Sequence, residues 1–373
     1  MKVGINLCHL VLGETGGVEI YALRLLESLA ALESPPRLVV FAPRAASEPL
    51  RREPWSPSAE LVLLPFDPRR RVARVVAEQT LLPAAVRRRG LDLLHNMSSF
   101  APVFPGIPQV TTIHDLIYKR FPETHAGLLS LGVQALVPLA ARRSRRIIAD
   151  SEATKRDIVE LLHLDPGRID VAYAGPGMRE VEPVPERDLR ERFDLGNAPI
   201  VLTVSAKRPH KNLERLFKAF GGVRLEPPPV LVVPGYATPF EQDLRRKADE
   251  TAPDRIRFTG WLDDNVLEGF YRAASCFVFP SLAEGFGLPV LEALARGVPV
   301  ASSNASSLPE VAGDAALYFD PLDTEAIRTA IERVLSEPDL RARLAAAGPG
   351  RARSFTWDAT AERTLESYRL ALT

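Results

Sequence analysis

The sequence predicts an α/β fold of two domains, each built on a doubly wound parallel β-sheet, and three observations carry that expectation. Runs rich in Val, Ile and Leu alternate with helical patterns along almost the whole chain, as they do where strands are buried on both faces by crossover helices. The chain has 373 residues, enough for two domains of average size. The alternation breaks once, over 175–188, where Gly175, Pro176, Gly177, Pro183 and Pro185 give the composition of a linker.

Taken in order, strands are expected near 2–7, 37–42, 61–65, 91–95, 109–114, 146–150 and 169–173, with helices near 17–32, 72–89, 127–143 and 152–163. After the break the pattern restarts with Ile200-Val201-Leu202-Thr203-Val204 and a helix from about 211. Further strands follow near 229–233, 256–259, 276–279, 298–302 and 316–319, and helices near 240–250, 264–273, 288–296, 324–336 and 338–347. Trp357, Ala361, Leu365, Tyr368 and Leu372 recur at helical spacing, so 356–373 reads as a closing helix whose work is packing. The expected domains are 1–175 and 176–355, with the 175–188 segment and the final helix as candidate hinges.

Composition narrows the function by exclusion. At 46% hydrophobic and 25% charged the chain is ordinary for a soluble protein. No run approaches the roughly 18 apolar residues of a membrane span, and the chain opens on the strand-like Lys2-Val3-Gly4-Ile5-Asn6-Leu7, so a cytoplasmic protein is expected. Cys8 and Cys276 each sit in or beside an apolar run and read as small core residues, with no disulfide or zinc framework. Net charge is zero, yet residues 1–175 hold 22 Lys and Arg against 18 Asp and Glu, and the remainder 25 against 29. Arginines cluster at 69–71 with Arg74, at 87–89, and at Arg142, Arg143, Arg145 and Arg146. Such clusters fit solvated helix ends, or a patch resting on anionic membrane lipid where a lipid-linked acceptor would be found. No aromatic residues interleave with them, which argues against nucleic acid as a partner.

Parallel sheets hold ligands beyond the carboxyl ends of their strands, so the loops after strands are where chemistry is sought. The strongest signal there is the run from Phe279 to Ala293. A strand ends near Phe279, a Gly-containing loop with Glu284 follows, and Pro289 opens a helix in which Glu292 lies about one turn on. The helix start at Phe286, Gly287 and Leu288 turns amide donors and a positive dipole end toward any diphosphate. Glu284 suits either a ligand contact or a cap on the helix it precedes. Glu292, among Leu291, Ala293 and Leu294, needs hydrogen bonds from a ligand's hydroxyls or from buried donors.

Three more loops follow strands. Gly13-Glu14-Thr15-Gly16-Gly17-Val18-Glu19 opens a helix, and the amides of Gly16 and Gly17 can approach a phosphate closely. Thr112-Ile113-His114-Asp115 ends a strand with a histidine. Ser205-Ala206-Lys207-Arg208-Pro209-His210-Lys211-Asn212 puts cations at a helix start, a diphosphate clamp made from Lys211 with either Lys207 or Arg208.

In this order and spacing, and extended through Glu292-Ala293-Leu294-Ala295-Arg296-Gly297-Val298-Pro299-Val300 to Leu308-Pro309-Glu310-Val311, these motifs resemble family 4 of the retaining glycosyltransferases. The resemblance spans nearly the whole chain and is densest over about 199–320. It implies the GT-B fold, two Rossmann-like domains facing a central cleft that holds a nucleotide-diphosphate sugar. It further implies that Glu284 and His114 contact the transferred sugar, that Glu292 contacts the nucleotide ribose, and that the Gly16–Gly17 loop faces the donor diphosphate. Many relatives carry a Gly-Arg pair where this chain has Ser205-Ala206, which leaves the second clamp cation open. Asp150-Ser151 also resembles a family loop at the cleft, with no role assigned.

Glycosyl transfer with retention builds oxocarbenium character on the sugar and negative charge on the leaving diphosphate, so the site has two electrostatic tasks. No covalent nucleophile stands out, and a front-face route is expected, in which a β-phosphate oxygen helps to deprotonate the acceptor. No Asp-x-Asp pair occurs, and no metal or other cofactor is expected. The stretch Ser302–Glu310 looks like bacterial polysaccharide mannosyltransferases, which favours a GDP-linked donor over a UDP-linked one and a glycan, lipid-linked or small-molecule acceptor. Two rivals stand beside this reading. A nicotinamide-dependent oxidoreductase needs Gly-x-Gly-x-x-Gly after a first strand, and neither half carries it. A non-catalytic sugar-nucleotide-binding protein would dispense with His114, Glu284 or the cations, and all are present.

Overall fold

A computed structural model of the chain describes residues 1–14, 16–122 and 128–373. Thr15 of the Gly-Gly loop and residue 127 of the expected 127–143 helix lie outside the described residues. The chain forms two compact units, Met1–Gly177 with Thr356–Thr373, and Met178–Phe355. Both are parallel sheets covered by helices, Rossmann-like as expected.

Among the described residues of unit 1 the sheet has seven strands: β1 (Lys2–Asn6), β2 (Arg37–Pro43), β3 (Ala59–Leu64), β4 (Leu93–Asn96), β5 (Gln109–Ile113), β6 (Arg146–Ala149) and β7 (Ile169–Val171). They run in the order β3-β2-β1-β4-β5-β6-β7, every neighbouring pair parallel. Helices on both faces leave no polar side to the inner strands. That is why β2 buries every residue after Arg37 and reads as an unbroken apolar run. Winding reverses between β1 and β4, which makes the loops after these strands and their neighbours the natural ligand side. The helix Gly17–Ala31 buries Tyr21, Ala22, Leu25, Leu26 and Leu29 on one stripe.

The terminal helix Trp357–Leu372 starts on Thr356, whose hydroxyl accepts from the Ala359 amide at 3.2 Å. Its Tyr368 hydroxyl lies 2.7 Å from His95 Nδ1, and the other ring nitrogen lies 2.8 Å from the Thr112 hydroxyl. A side chain added at Gly175 would strike Trp357, its Cβ falling 2.8 Å from the Trp357 backbone nitrogen. The last residues are thus built into unit 1.

Unit 2 carries, among its described residues, β8 (Ile200–Leu202), β9 (Val230–Pro234), β10 (Ile256–Gly260), β11 (Cys276–Phe279), β12 (Val300–Ser303) and β13 (Ala316–Phe319). The order is β10-β9-β8-β11-β12-β13, all parallel, with the reversal between β8 and β11. The helix Leu213–Gly221 buries Leu213, Leu216, Phe217 and Phe220 against Val201, Leu231, Val233 and Val278 of the sheet. At about 1.5–3 kcal/mol per buried large apolar side chain, this stripe outweighs the helix's intrinsic propensity.

Several boundaries differ from expectation. The single helix near 72–89 is two, Arg71–Gln79 and Leu81–Arg87, broken at Thr80 with φ −125°. Residues 186–188 of the expected linker belong to a helix, Glu186–Arg192, and the Val184 amide is tied to the Asn265 carbonyl at 2.9 Å. The helix near 338–347 continues to Ala352 through Pro349. One-turn helices at Ser47–Arg51, Ile117–Arg120 and Leu308–Ala312 carried no periodic signal.

Candidate active site

In unit 1 the register Ile113↔Ala149 between β5 and β6 puts the next residue of each strand, His114 and Asp150, side by side. His114 Nδ1 lies 2.6 Å from Asp150 Oδ2 and Nε2 lies 3.1 Å from the Met97 carbonyl. Both partners only accept, so the ring satisfies both when each nitrogen carries a proton. Burial works against that charge, and the Asp150 carboxylate with these hydrogen bonds overcomes it, raising the imidazole above its usual range. Tyr21 stands edge-on to the imidazole at 4.8 Å between centroids. Asp115 instead turns back, accepting from the Ile117 amide at 3.0 Å. Gly16 caps the helix Gly17–Ala31 at φ 63°, and Glu19 in its first turn accepts from the Gly13 amide at 3.0 Å.

Two further groups lie on this strand-end side. His9, in the loop after β1, is buried with neither ring nitrogen hydrogen-bonded among the described residues, and burial pushes its imidazole down to about 3. Ser98, after β4, likewise has a buried hydroxyl with no partner among them. Because β1, β4 and β5 are neighbours, His9, Ser98 and His114 follow three adjacent strand ends.

In unit 2 the loops after β8 and β11 meet at the reversal of the sheet. Asn212, left-handed at φ 57°, donates to the Pro280 and Pro321 carbonyls at 3.0 and 2.8 Å, and the Leu282 amide donates to the His210 carbonyl at 2.8 Å. This lacing brings together two residues assigned separate roles: Lys211 Nζ is 2.6 Å from Glu284 Oε1, and both side chains are largely buried. The ammonium also lies 5.5 Å from the Phe279 ring. Ser306 donates to the Glu284 carbonyl at 2.7 Å and Ser307 to that of Phe286 at 2.7 Å, which fixes the loop. Gly287 starts the helix Leu288–Ala295 at φ 113°, and a side chain there would collide with Leu308; only glycine serves.

Lys207 and Arg208 separate. Lys207 is wholly buried and donates to the Gly235 carbonyl, with burial pushing its ammonium down to about 8. Arg208 lines a cavity of about 540 Å³ that also takes in Arg215, Lys218 and Lys247. Among the described residues no group of three or more His, Cys, Asp or Glu stands placed to hold a metal ion.

Glu292 is buried and engaged within unit 2. It accepts from the Met178 amide at 2.7 Å and from Arg296 at 2.5 Å, and Arg296 in turn reaches Glu268 at 2.6 Å. Burial disfavours the Arg296 charge, and the two carboxylates more than offset it. Glu292→Gln, which keeps the shape and removes the charge, is expected to cost about 1–3 kcal/mol of stability, read as a lower denaturant midpoint. A ribose contact adds a raised Michaelis constant for the donor; stability loss with unchanged donor affinity would assign Glu292 to structure alone.

Sequence comparison places this arrangement among known proteins. Residues 15–175 match the family described as Glycosyltransferase Family 4, and residues 186–351 the family described as Glycosyl transferases group 1. The chain is 31% identical over 269 residues to the O-antigen chain mannosyltransferase B of Escherichia coli, covering 70% of each protein. In fold it is similar to the sucrose-phosphate synthase of Thermosynechococcus elongatus, with TM-score 0.80 and 22% identity over 99% of this chain and 98% of that one. It is also similar to Anabaena HepE in complex with UDP and glucose, with TM-score 0.75 and 20% identity over 98% of each chain.

Proposed function

The chain belongs to family 4 of the glycosyltransferases, and from that membership we propose that it transfers mannose from GDP-mannose, with retention of configuration, to a hydroxyl of a glycan or lipid-linked acceptor. The observation that carries the proposal is the Lys211–Glu284 pair, held between the ends of β8 and β11 beside a helix start. As the bond from C1 to the β-phosphate oxygen breaks, the Lys211 ammonium moves from the carboxylate to the diphosphate, and Glu284 is released to accept from the sugar's hydroxyls. Arg208 supplies the second positive charge, since Lys207 is committed to the Gly235 carbonyl. The amides at Phe286–Gly287 add donors, and the family resemblance implies donor contacts for the Gly16–Gly17 loop and for His114 as well. The acceptor proton passes to the β-phosphate oxygen, so no separate base is required.

Mannose is supported by the activity of the E. coli relative and by the Ser302–Glu310 stretch. A UDP-linked donor is the second reading, favoured by the HepE complex. A thermal-shift panel of GDP, UDP and ADP decides between them, because a ligand at a hundred times its Kd stabilises the native state by about 2.7 kcal/mol. GDP is expected to raise Tm most; a larger shift with UDP replaces the mannose reading. Transfer is expected to survive EDTA, since side-chain cations and amides neutralise the diphosphate, and loss that magnesium restores would refute that part.

A further inference from the structure

We infer that the loop before β5, with Phe104 at its tip and Arg87, Arg143 and Arg145 around it, docks unit 1 on an anionic lipid surface. Phe104 is 70% exposed. It is presented by a firm turn: Pro105 beside it is buried and Gly106 is left-handed at φ 81°. The ring borders a cavity of about 570 Å³ lined by Pro105, Ile107 and the three arginines, with no acidic residue in the lining. Arg143 holds its guanidinium 5.0 Å from the Phe104 centroid. Arg145 Nη1 lies 3.5 Å from the Ala371 carbonyl, which puts the half-exposed Leu370 and Leu372 at the same edge.

An apolar side chain on a stiff turn, ringed by guanidinium groups that pair with no acid among the described residues, has the two components of interfacial binding. One is an apolar residue to enter the headgroup boundary; the other is cations to meet lipid phosphates. Among the described residues no helix is long and apolar enough to cross a membrane. The contact also leaves the proposed chemistry uncovered. The loop leads into the first residue of β5 and Arg145 precedes the first of β6, whereas His114 and Asp150 follow their last residues. Five strand residues at about 3.3 Å each separate the two ends by roughly 16 Å.

The test is flotation of the full chain with vesicles of phosphatidylglycerol and phosphatidylcholine in equal parts, and with phosphatidylcholine alone. The wild type is expected to float with the first only and to be released by 0.5 M salt. Arg143→Gln with Arg145→Gln should weaken partitioning roughly fivefold per arginine, and Phe104→Ser should weaken it further. In Phe104→Trp, emission should shift to the blue on adding the anionic vesicles. Arg51→Gln with Arg52→Gln, which removes two arginines outside this cavity, should float as the wild type does. Unchanged melting and unchanged nucleotide-induced thermal shifts keep loss of folding or of the proposed donor site apart from loss of docking. Equal binding to both vesicles, wild-type flotation of the Phe104 and arginine variants, or no flotation at all would overturn the inference. So would saturation of the site by inorganic pyrophosphate with no vesicle binding.

Discussion

Lys211→Ala is expected to lower turnover by about a hundred- to a thousandfold, with a smaller effect on donor binding. On the proposed mechanism the ammonium interacts most strongly when the diphosphate carries its developing charge, and losing one such contact from a preorganised site costs about 2.7–4 kcal/mol of transition-state stabilisation. The same change strands the Glu284 carboxylate, whose ion-pair partner at 2.6 Å is removed in a largely buried setting. A lower Tm should accompany the kinetic loss. Lys211→Ala with Glu284→Gln isolates the stability part, because neutralising the stranded carboxylate restores Tm, while turnover then reports the loss of both groups. Steady-state kinetics with a nucleotide sugar, beside thermal melts, reads both. Wild-type turnover in Lys211→Ala would leave only Lys207 and Arg208 as a clamp, and with Lys207 buried that means Arg208 alone.

The second large effect belongs to His114. Replacing it with Ala is expected to slow transfer about a hundredfold, the loss typical of a misplaced reactant, while an α-linked donor still gives an α-linked product. NMR of the product reads the anomer directly, and a β-linkage would overturn retention together with the roles given to His114 and Glu284. Asp150→Asn tests the pair more finely. The Asp150 charge holds the imidazole above its ordinary value of about 6.5, and without it burial prevails and the pKa falls. In the wild type the pair's contribution to stability is full below about pH 6.5 and fades as pH rises through the raised value. In Asp150→Asn that contribution should vanish, and any activity that needs the imidazolium should be lost at lower pH than in the wild type. An unmoved pH–rate profile would mean that the charge on His114 plays no part in transfer.

Strands were legible where helices bury both faces, as in β2, because burial leaves an unbroken apolar run. The break at Thr80 was masked by apolar residues continuing through Leu81 and Leu82, although Pro83 near the start of the second helix is a signal of a new beginning. The helix expected near 338–347 ends short of Gly348-Pro349-Gly350, yet the observed helix passes through them. Gly348 lies so close to the Leu294 backbone that a Cβ would stand 2.7 Å from its carbonyl oxygen, and that helix contact overrides local propensity. Candidate site positions could be proposed from loops after strands; their side-chain partners mostly could not. Arg296 lies four residues beyond Glu292, at the C-cap of its helix, and could have been read as its partner. Asp150 for His114 required the β5–β6 register, and Lys211 for Glu284 a pairing across 73 positions. His9 carries no signal in sequence, since an unsatisfied imidazole differs from a satisfied one only in what surrounds it.

Unit 1 is made of two stretches of sequence with the whole of unit 2 between them, and this sets an order on synthesis. Once Met178–Phe355 has left the ribosome, unit 2 has every residue it needs. Unit 1, although translated first, still lacks Trp357–Leu372, and with it the Tyr368 hydroxyl beside His95. At about 5–20 residues per second, translating the intervening stretch takes roughly ten to thirty-five seconds, during which the β4–β6 region stands without the helix that covers it. The half that emerges first is therefore the half that finishes last.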